Sequence, residues 1–202
     1  MKALYRIMNS GSTLGSLMQV VPITLLVGIL YAVCRCIRLA KRGSSICWGT
    51  EIVRWLFVCY LTGLVNLILV PANFWMTIWA NLCLGYSHSE IVLFSGEFNL
   101  MPTLIKWLMG ELTIGHWVLQ MLVYNFLMFV PFGCFLPLVS EKINHRSIWA
   151  IAVIVPLAVE LIQPVIGRSF DTDDLLLNFA GIVAGYLAAT LIRTIHRKLA
   201  NR

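Results

Sequence analysis

Five long apolar stretches constrain the fold of this chain more than any other feature of its sequence. Each stretch is close to the roughly 20 apolar residues that an α-helix needs to cross a bilayer. In hydrocarbon, only helices and closed barrels satisfy every backbone polar group. The sequence therefore predicts an all-α membrane protein, a bundle of about five transmembrane helices, with spans at Leu17–Ile37, Ile52–Val70, Val118–Val139, Ile148–Ile166 and Leu175–Ile195.

The composition agrees with a membrane protein and not with a soluble one. Of the 202 residues, 59% are hydrophobic and 12% are charged, whereas soluble domains carry about 25% charged residues. The net charge is +6, and the basic residues cluster beside apolar stretches, at residues 35–42 and 193–202. Such clusters are typical of cytoplasmic membrane flanks. We therefore expect membrane lipids as partners and no nucleic acid.

The six cysteines do not indicate a metal centre. They form no CxxC pair, and no histidines accompany them at ligand spacing. Zinc sites need such spacing. We interpret the cysteines as small apolar side chains of membrane helices, and we expect no cofactor.

The basic clusters also predict the orientation of the chain. Residues 35–42, 142–146 and 193–202 should all be cytoplasmic. Five spans then place the amino terminus outside, the carboxyl terminus in the cytoplasm and the long connection 71–117 outside. Two short apolar segments of that connection, Phe74–Leu84 and Leu104–Leu112, are predicted to lie in the membrane interface. Their role is open.

Polar residues collect between the fourth and fifth spans. Four of the nine acidic residues lie between Glu160 and Asp174, and ionisable groups beside apolar spans indicate a functional site. Because the third and fifth spans run inward and the fourth runs outward, polar groups from three helices should meet near the outer face. The candidate binding residues are Asn125, Glu160, Gln163, Arg168, Asp171, Asp174 and Asn178.

Several of these residues also have structural interpretations. Glu160 and Arg168 could form a salt bridge, or a partly unpaired Glu160 could move a proton or hold a cation. Asp171 or Asp173 could cap the fifth helix. The third span should be interrupted at Pro131-Phe132-Gly133 and again at Pro137. Gly181 and Gly185 form a Gly-x-x-x-Gly pattern that permits close helix packing.

These motifs resemble those of the VanZ-like family of small bacterial membrane proteins. The resemblance lies in Asn125–Gly133 with Leu136-Pro137, in Glu160–Gln163, and in Gly167–Asp174 followed by Asn178, Gly181 and Gly185. It covers roughly residues 52–195 and divides the chain into an N-terminal addition (1–51), a VanZ-like domain (52–195) and a basic tail (196–202). It implies the bacterial cytoplasmic membrane and an effect on susceptibility to teicoplanin-type glycopeptides.

Three functions are compatible with this sequence. The outer site could bind lipid headgroups, a lipid-linked cell-wall precursor or a lipoglycopeptide, with Arg168 facing an anionic group. It could instead belong to an enzyme, with Glu160 as acid or base and Asp171, Asp173 and Asp174 as ligands of a divalent cation. Only Ser169 is an obvious nucleophile, so the sequence favours a non-enzymatic protein. In the third interpretation the cluster only staples helices together. The sequence does not indicate an oligomeric state.

Overall fold

The computed structural model describes residues 13–42, 47–71, 74–85, 94, 98–111, 115–140 and 143–200. It contains the helices α1 (Thr13–Arg42), α2 (Trp48–Leu69), α3 (Phe74–Leu84), α4 (Thr103–Leu108), α5 (His116–Val139), α6 (His145–Ile162) and α7 (Thr172–Ala200). A 3-10 helix, Gln163–Ile166, directly follows α6. Two short strands, β1 (Phe98–Asn99) and β2 (Phe170–Asp171), pair in parallel, with Phe98 opposite Phe170 and Asn99 opposite Asp171.

The fold class predicted from the sequence is confirmed. Of the residues that the structure describes, 86% are helical, and the strands among them are only two residues long. Within the described part of the chain, five helical segments are long and apolar enough to span a membrane, namely Gly15–Lys41, Trp48–Leu69, Val118–Val139, His145–Ile166 and Thr172–Ala200. The shorter helices α3 and α4 correspond to the two short apolar segments of the long connection. Their position in the interface stays a prediction.

The chain separates into two compact units. The first unit comprises Met1–Ser95 with Val165–Arg168, and the second comprises Gly96–Pro164 with Ser169–Arg202. In the first unit, α1 packs against α2. The indole of Trp75 donates to Oδ1 of Asn66 at 2.6 Å, and the indole of Trp79 donates to the carbonyl of Gln19 at 3.2 Å. These bonds fasten α3 to both longer helices.

In the second unit, α5 and α7 run parallel and nearly touch through their backbones. A Cβ atom added at Gly185 would collide with the carbonyl oxygen of Val130, and one added at Gly133 would collide with that of Ile182. The Gly-x-x-x-Gly pattern of α7 therefore meets a third glycine from α5. Small residues of this kind allow helices to approach closely.

The prolines of the third span do not interrupt it. α5 is continuous from His116 to Val139 and contains both Pro131 and Pro137, so the expected break at Pro131-Phe132-Gly133 is wrong. A proline removes one helical hydrogen bond. Packing on both sides of Pro131 compensates for this loss, since Phe129 is fully buried and Phe132 nearly so.

Candidate functional site

Glu160 lies near the end of α6 and is completely buried. Its Oε2 accepts a hydrogen bond from the backbone N–H of Asp171 at 2.9 Å. When the Gln163 amide is oriented with its nitrogen towards Glu160, that nitrogen lies 3.2 Å from Oε1 and 3.1 Å from Oε2. A buried carboxylate needs such donors in place of water. The end of α6 and the start of α7 are therefore joined through Glu160.

Asp171 is the residue that precedes α7, and its carboxylate has two partners. Oδ1 accepts from the backbone N–H of Asp173 at 2.9 Å. This bond satisfies one of the free N–H groups of the first turn, as expected of a helix cap. Oδ2 accepts from Nδ2 of Asn99 at 3.0 Å. Asp171 thus connects the start of α7 to β1.

Asp173 is buried and binds outside its own helix. Its Oδ2 accepts from the backbone N–H of Thr103 at 2.7 Å, and Thr103 is the first residue of α4. Of the two residues predicted to cap the fifth span, Asp171 caps α7, whereas Asp173 caps α4. The first N–H groups of any helix lack partners within it, so a carboxylate is favourable at either place.

Asn99 and Lys106, two residues that the sequence did not single out, complete this network. Nζ of Lys106, on α4, donates to Oδ1 of Asn99 at 2.8 Å. The hydroxyl of Thr172 donates to the carbonyl of Asn99 at 3.1 Å. Hydrogen bonds therefore run from Lys106 through Asn99 and Asp171 to Glu160. One signal pointed to Lys106, since it is the only lysine or arginine in residues 71–117.

The third and fifth spans meet through a pair of polar side chains. Nδ2 of Asn125, on α5, donates to Oδ1 of Asp174, on α7. Two of the candidate residues, 49 positions apart in the sequence, are therefore brought together by the parallel packing of these helices.

Asn178 follows Asp174 by one helical turn and contains an unsatisfied acceptor. Its side chain is 4% exposed, and its buried Oδ1 has no hydrogen-bond partner within the described parts of the chain. Leaving a buried acceptor unpaired costs about 1–3 kcal/mol. Such an atom needs an explanation, and a bound ligand is one.

Arg168 belongs to the first unit and is half-buried there. Its Nη1 donates to the carbonyl of Leu67 at 2.6 Å. Leu67 lies in the last turn of α2, where carbonyl groups lack helical partners and a cation complements the helix dipole. Pairing of Arg168 with Glu160, and a contact of Arg168 with an anionic ligand, stay predictions.

The carboxylates Asp171, Asp173 and Asp174 face three different donors: Asn99, the backbone of Thr103, and Asn125. Among residues 13–200, excluding the gaps given above, no group of three or more His, Cys, Asp or Glu residues is arranged to hold a metal ion. The geometry thus offers no support for a divalent cation at these aspartates.

The five apolar helices define the class of this chain as a multi-pass membrane protein. The model of one family, described as VanZ/LLP1, matches residues 57–193. The chain belongs to this family, as its motifs predicted. No curated protein and no solved structure matches it. The helix α1 and the first turns of α2 lie outside the matched residues.

Proposed function

We propose that this protein binds a polar headgroup, of a membrane lipid or of a lipid-linked cell-wall precursor, at the outer face of the bacterial cytoplasmic membrane. The observation that carries the proposal is the buried Oδ1 of Asn178, which has no hydrogen-bond partner among the residues that the structure describes. It lies one turn from Asp174 and so next to a cluster of polar side chains. A hydroxyl, amide or ammonium group of the ligand would supply the missing donor.

The surrounding network supports a site that is formed before the ligand arrives. The carboxylates of Glu160, Asp171 and Asp173 each accept from a backbone N–H group, which fixes them in place. A preorganised site loses less entropy when it binds. Its acceptors suit a ligand rich in hydroxyl or N–H groups, and Lys106 provides a cation for a phosphate.

Family membership and the charge distribution supply the biological setting. The basic flanks favour an outside amino terminus and a cytoplasmic carboxyl terminus. In that orientation the Glu160–Asn178 segment would lie near the outer surface. Glycopeptide antibiotics of the teicoplanin type act at that surface. A protein that holds headgroups or cell-wall precursors there would alter the access of such a drug, and we propose this as its route to changed susceptibility.

The exchange Asp174→Asn should weaken headgroup binding with little change in shape. It removes the negative charge next to Asn178, so a hydrogen bond from the headgroup to residue 174 is no longer charge-assisted. Such a charge-assisted bond contributes about 1.5–3 kcal/mol. We expect a loss of roughly tenfold or more in affinity. The measurement is native mass spectrometry of the purified full chain with a bacterial lipid extract and, separately, with the lipid-linked disaccharide–pentapeptide cell-wall precursor.

The matched control is Glu111→Gln, which neutralises an exposed carboxylate of the long connection and should leave binding unchanged. Equal binding by the Asp174→Asn and wild-type proteins would refute the site. A strain expressing each variant extends the test to the phenotype. Expression of the wild-type protein should lower susceptibility to teicoplanin, and expression of the Asp174→Asn variant should not. If the two strains were equally susceptible, the proposed effect on the drug would be refuted.

A further inference from the structure

A second site lies in the first unit, between α1 and α2. An open groove of about 210 Å³ lies between these two packed helices. It is lined mainly by apolar and aromatic side chains, including Tyr31, Ala32 and Leu39 of α1 and Ile52 and Trp55 of α2. This lining suits a hydrocarbon chain. Arg35 and Glu51 are the charged residues that line the same groove.

Positive charges outnumber negative charges around this groove. Glu51 accepts from Nε and Nη2 of Arg35 at 2.6 and 2.7 Å and from Nη1 of Arg54 at 2.8 Å. One carboxylate is therefore shared by two guanidinium groups. Arg38 lies one turn after Arg35, and Lys41 follows Arg38 by a further three residues. Both are exposed, and neither has a carboxylate partner among the residues whose structure is described. The region therefore has an excess of positive charge.

Further features place this region at the boundary between hydrocarbon and water. The span of α1 ends at Lys41, and Trp48 at the start of α2 is 67% exposed. Exposed tryptophans and basic residues at helix ends are typical of the headgroup level. A second groove, of about 330 Å³, is lined by Arg38 and by Arg35. An apolar groove close to these helix ends is therefore lined by Arg38, a cation without a carboxylate partner among the described residues.

We infer that the grooves beside α1 bind an anionic phospholipid, with one acyl chain in the apolar groove between α1 and α2 and the phosphate at Arg38, which lines the adjoining groove together with Arg35. Charge complementarity selects this occupant, because a zwitterionic lipid would leave the excess cations uncompensated. Basic pockets between transmembrane helices are a recurrent form of lipid recognition. The site uses α1, which lies outside the residues matched by the family, so it is independent of the function proposed above.

The charge contribution is tested by the double exchange Arg38→Gln/Lys41→Gln. The full chain is purified in detergent with equimolar phosphatidylglycerol and phosphatidylcholine of identical acyl chains, and retained lipid is counted by native mass spectrometry. Wild-type protein should retain phosphatidylglycerol preferentially, and the double variant should lose this preference by roughly tenfold. The control, Arg146→Gln/Lys198→Gln, removes the same charge from exposed positions of α6 and α7 that line neither groove and should retain the preference.

The groove between α1 and α2 is tested by Ala32→Phe, which fills it without changing the charge. Its control is Ala188→Phe, at an exposed position of α7. We expect Ala32→Phe alone to reduce phosphatidylglycerol retention, with the helical circular dichroism of both variants unchanged. Equal retention of the two lipids by wild type, or an equal effect of the two charge pairs, would overturn the site. Retention unaffected by Ala32→Phe would overturn the placement of the acyl chain.

Discussion

Replacing Gly185 by alanine should destabilise the protein by about 1–3 kcal/mol or more, because the contact between α5 and α7 has no room for a side chain. The added Cβ would collide with the carbonyl oxygen of Val130 and lie 2.9 Å from the backbone nitrogen of Cys134. Both are backbone atoms, so one helix must move as a whole. Sγ of Cys134 also donates to the carbonyl of Gly185 at 3.2 Å, and this bond would be lost. Thermal unfolding of the purified protein in detergent measures the effect.

Gly63 supplies the control for this experiment. It also lies within a transmembrane helix, but the nearest atom to an added Cβ is Oγ1 of Thr24 at 3.9 Å. Alanine is favoured over glycine in a helix by about 1 kcal/mol, so Gly63→Ala should be neutral or stabilising. Equal losses of stability in the two variants would contradict the close packing of α5 on α7.

Replacing Glu160 by alanine should destabilise the fold by about 3 kcal/mol, since it leaves a part-buried N–H group without its acceptor and opens a cavity where a fully buried side chain was. The N–H group is that of Asp171, and the Gln163 amide loses the same partner. Glu160→Gln keeps an acceptor oxygen and should be less destabilising. Chemical denaturation in detergent, followed by circular dichroism, gives the comparison.

For this second prediction, Glu111→Ala removes an exposed carboxylate and should change stability by less than about 0.5 kcal/mol. If Glu160→Ala proved as harmless as Glu111→Ala, then Glu160 would not connect α6 to α7 as described.

The sequence was sufficient for those features that depend on helix length and direction. Apolar length alone predicts the five spans, because the bilayer sets that length. Because the third and fifth spans were both predicted to run inward, Asn125 was expected to lie at the same level as Asp174. A hydrogen bond joins these two side chains. The polar residues of α6 and α7 were likewise predictable as neighbours, since only a short turn separates the two helices.

Other features depend on contacts that no local pattern reports. Asp173 binds the backbone of Thr103, 70 positions earlier, and backbone acceptors and donors have no residue-type signature. Asn99 and Lys106 join the network through the pairing of two-residue strands, which are too short to be recognised by periodicity. Pro131 predicted a break in α5, but the packing of the neighbouring phenylalanines outweighs one missing hydrogen bond.

The central claim is that Asn178 keeps a buried acceptor for a ligand, and the exchange Asn178→Leu tests it most directly. Removing an unpartnered buried polar atom should leave the ligand-free protein as stable as wild type, or more stable. The same exchange should reduce headgroup binding by roughly tenfold or more, since the acceptor is lost. Thermal unfolding and native mass spectrometry on one preparation give both values. A variant that is less stable than wild type and still binds the headgroup normally would show that Asn178 serves the fold and not a ligand.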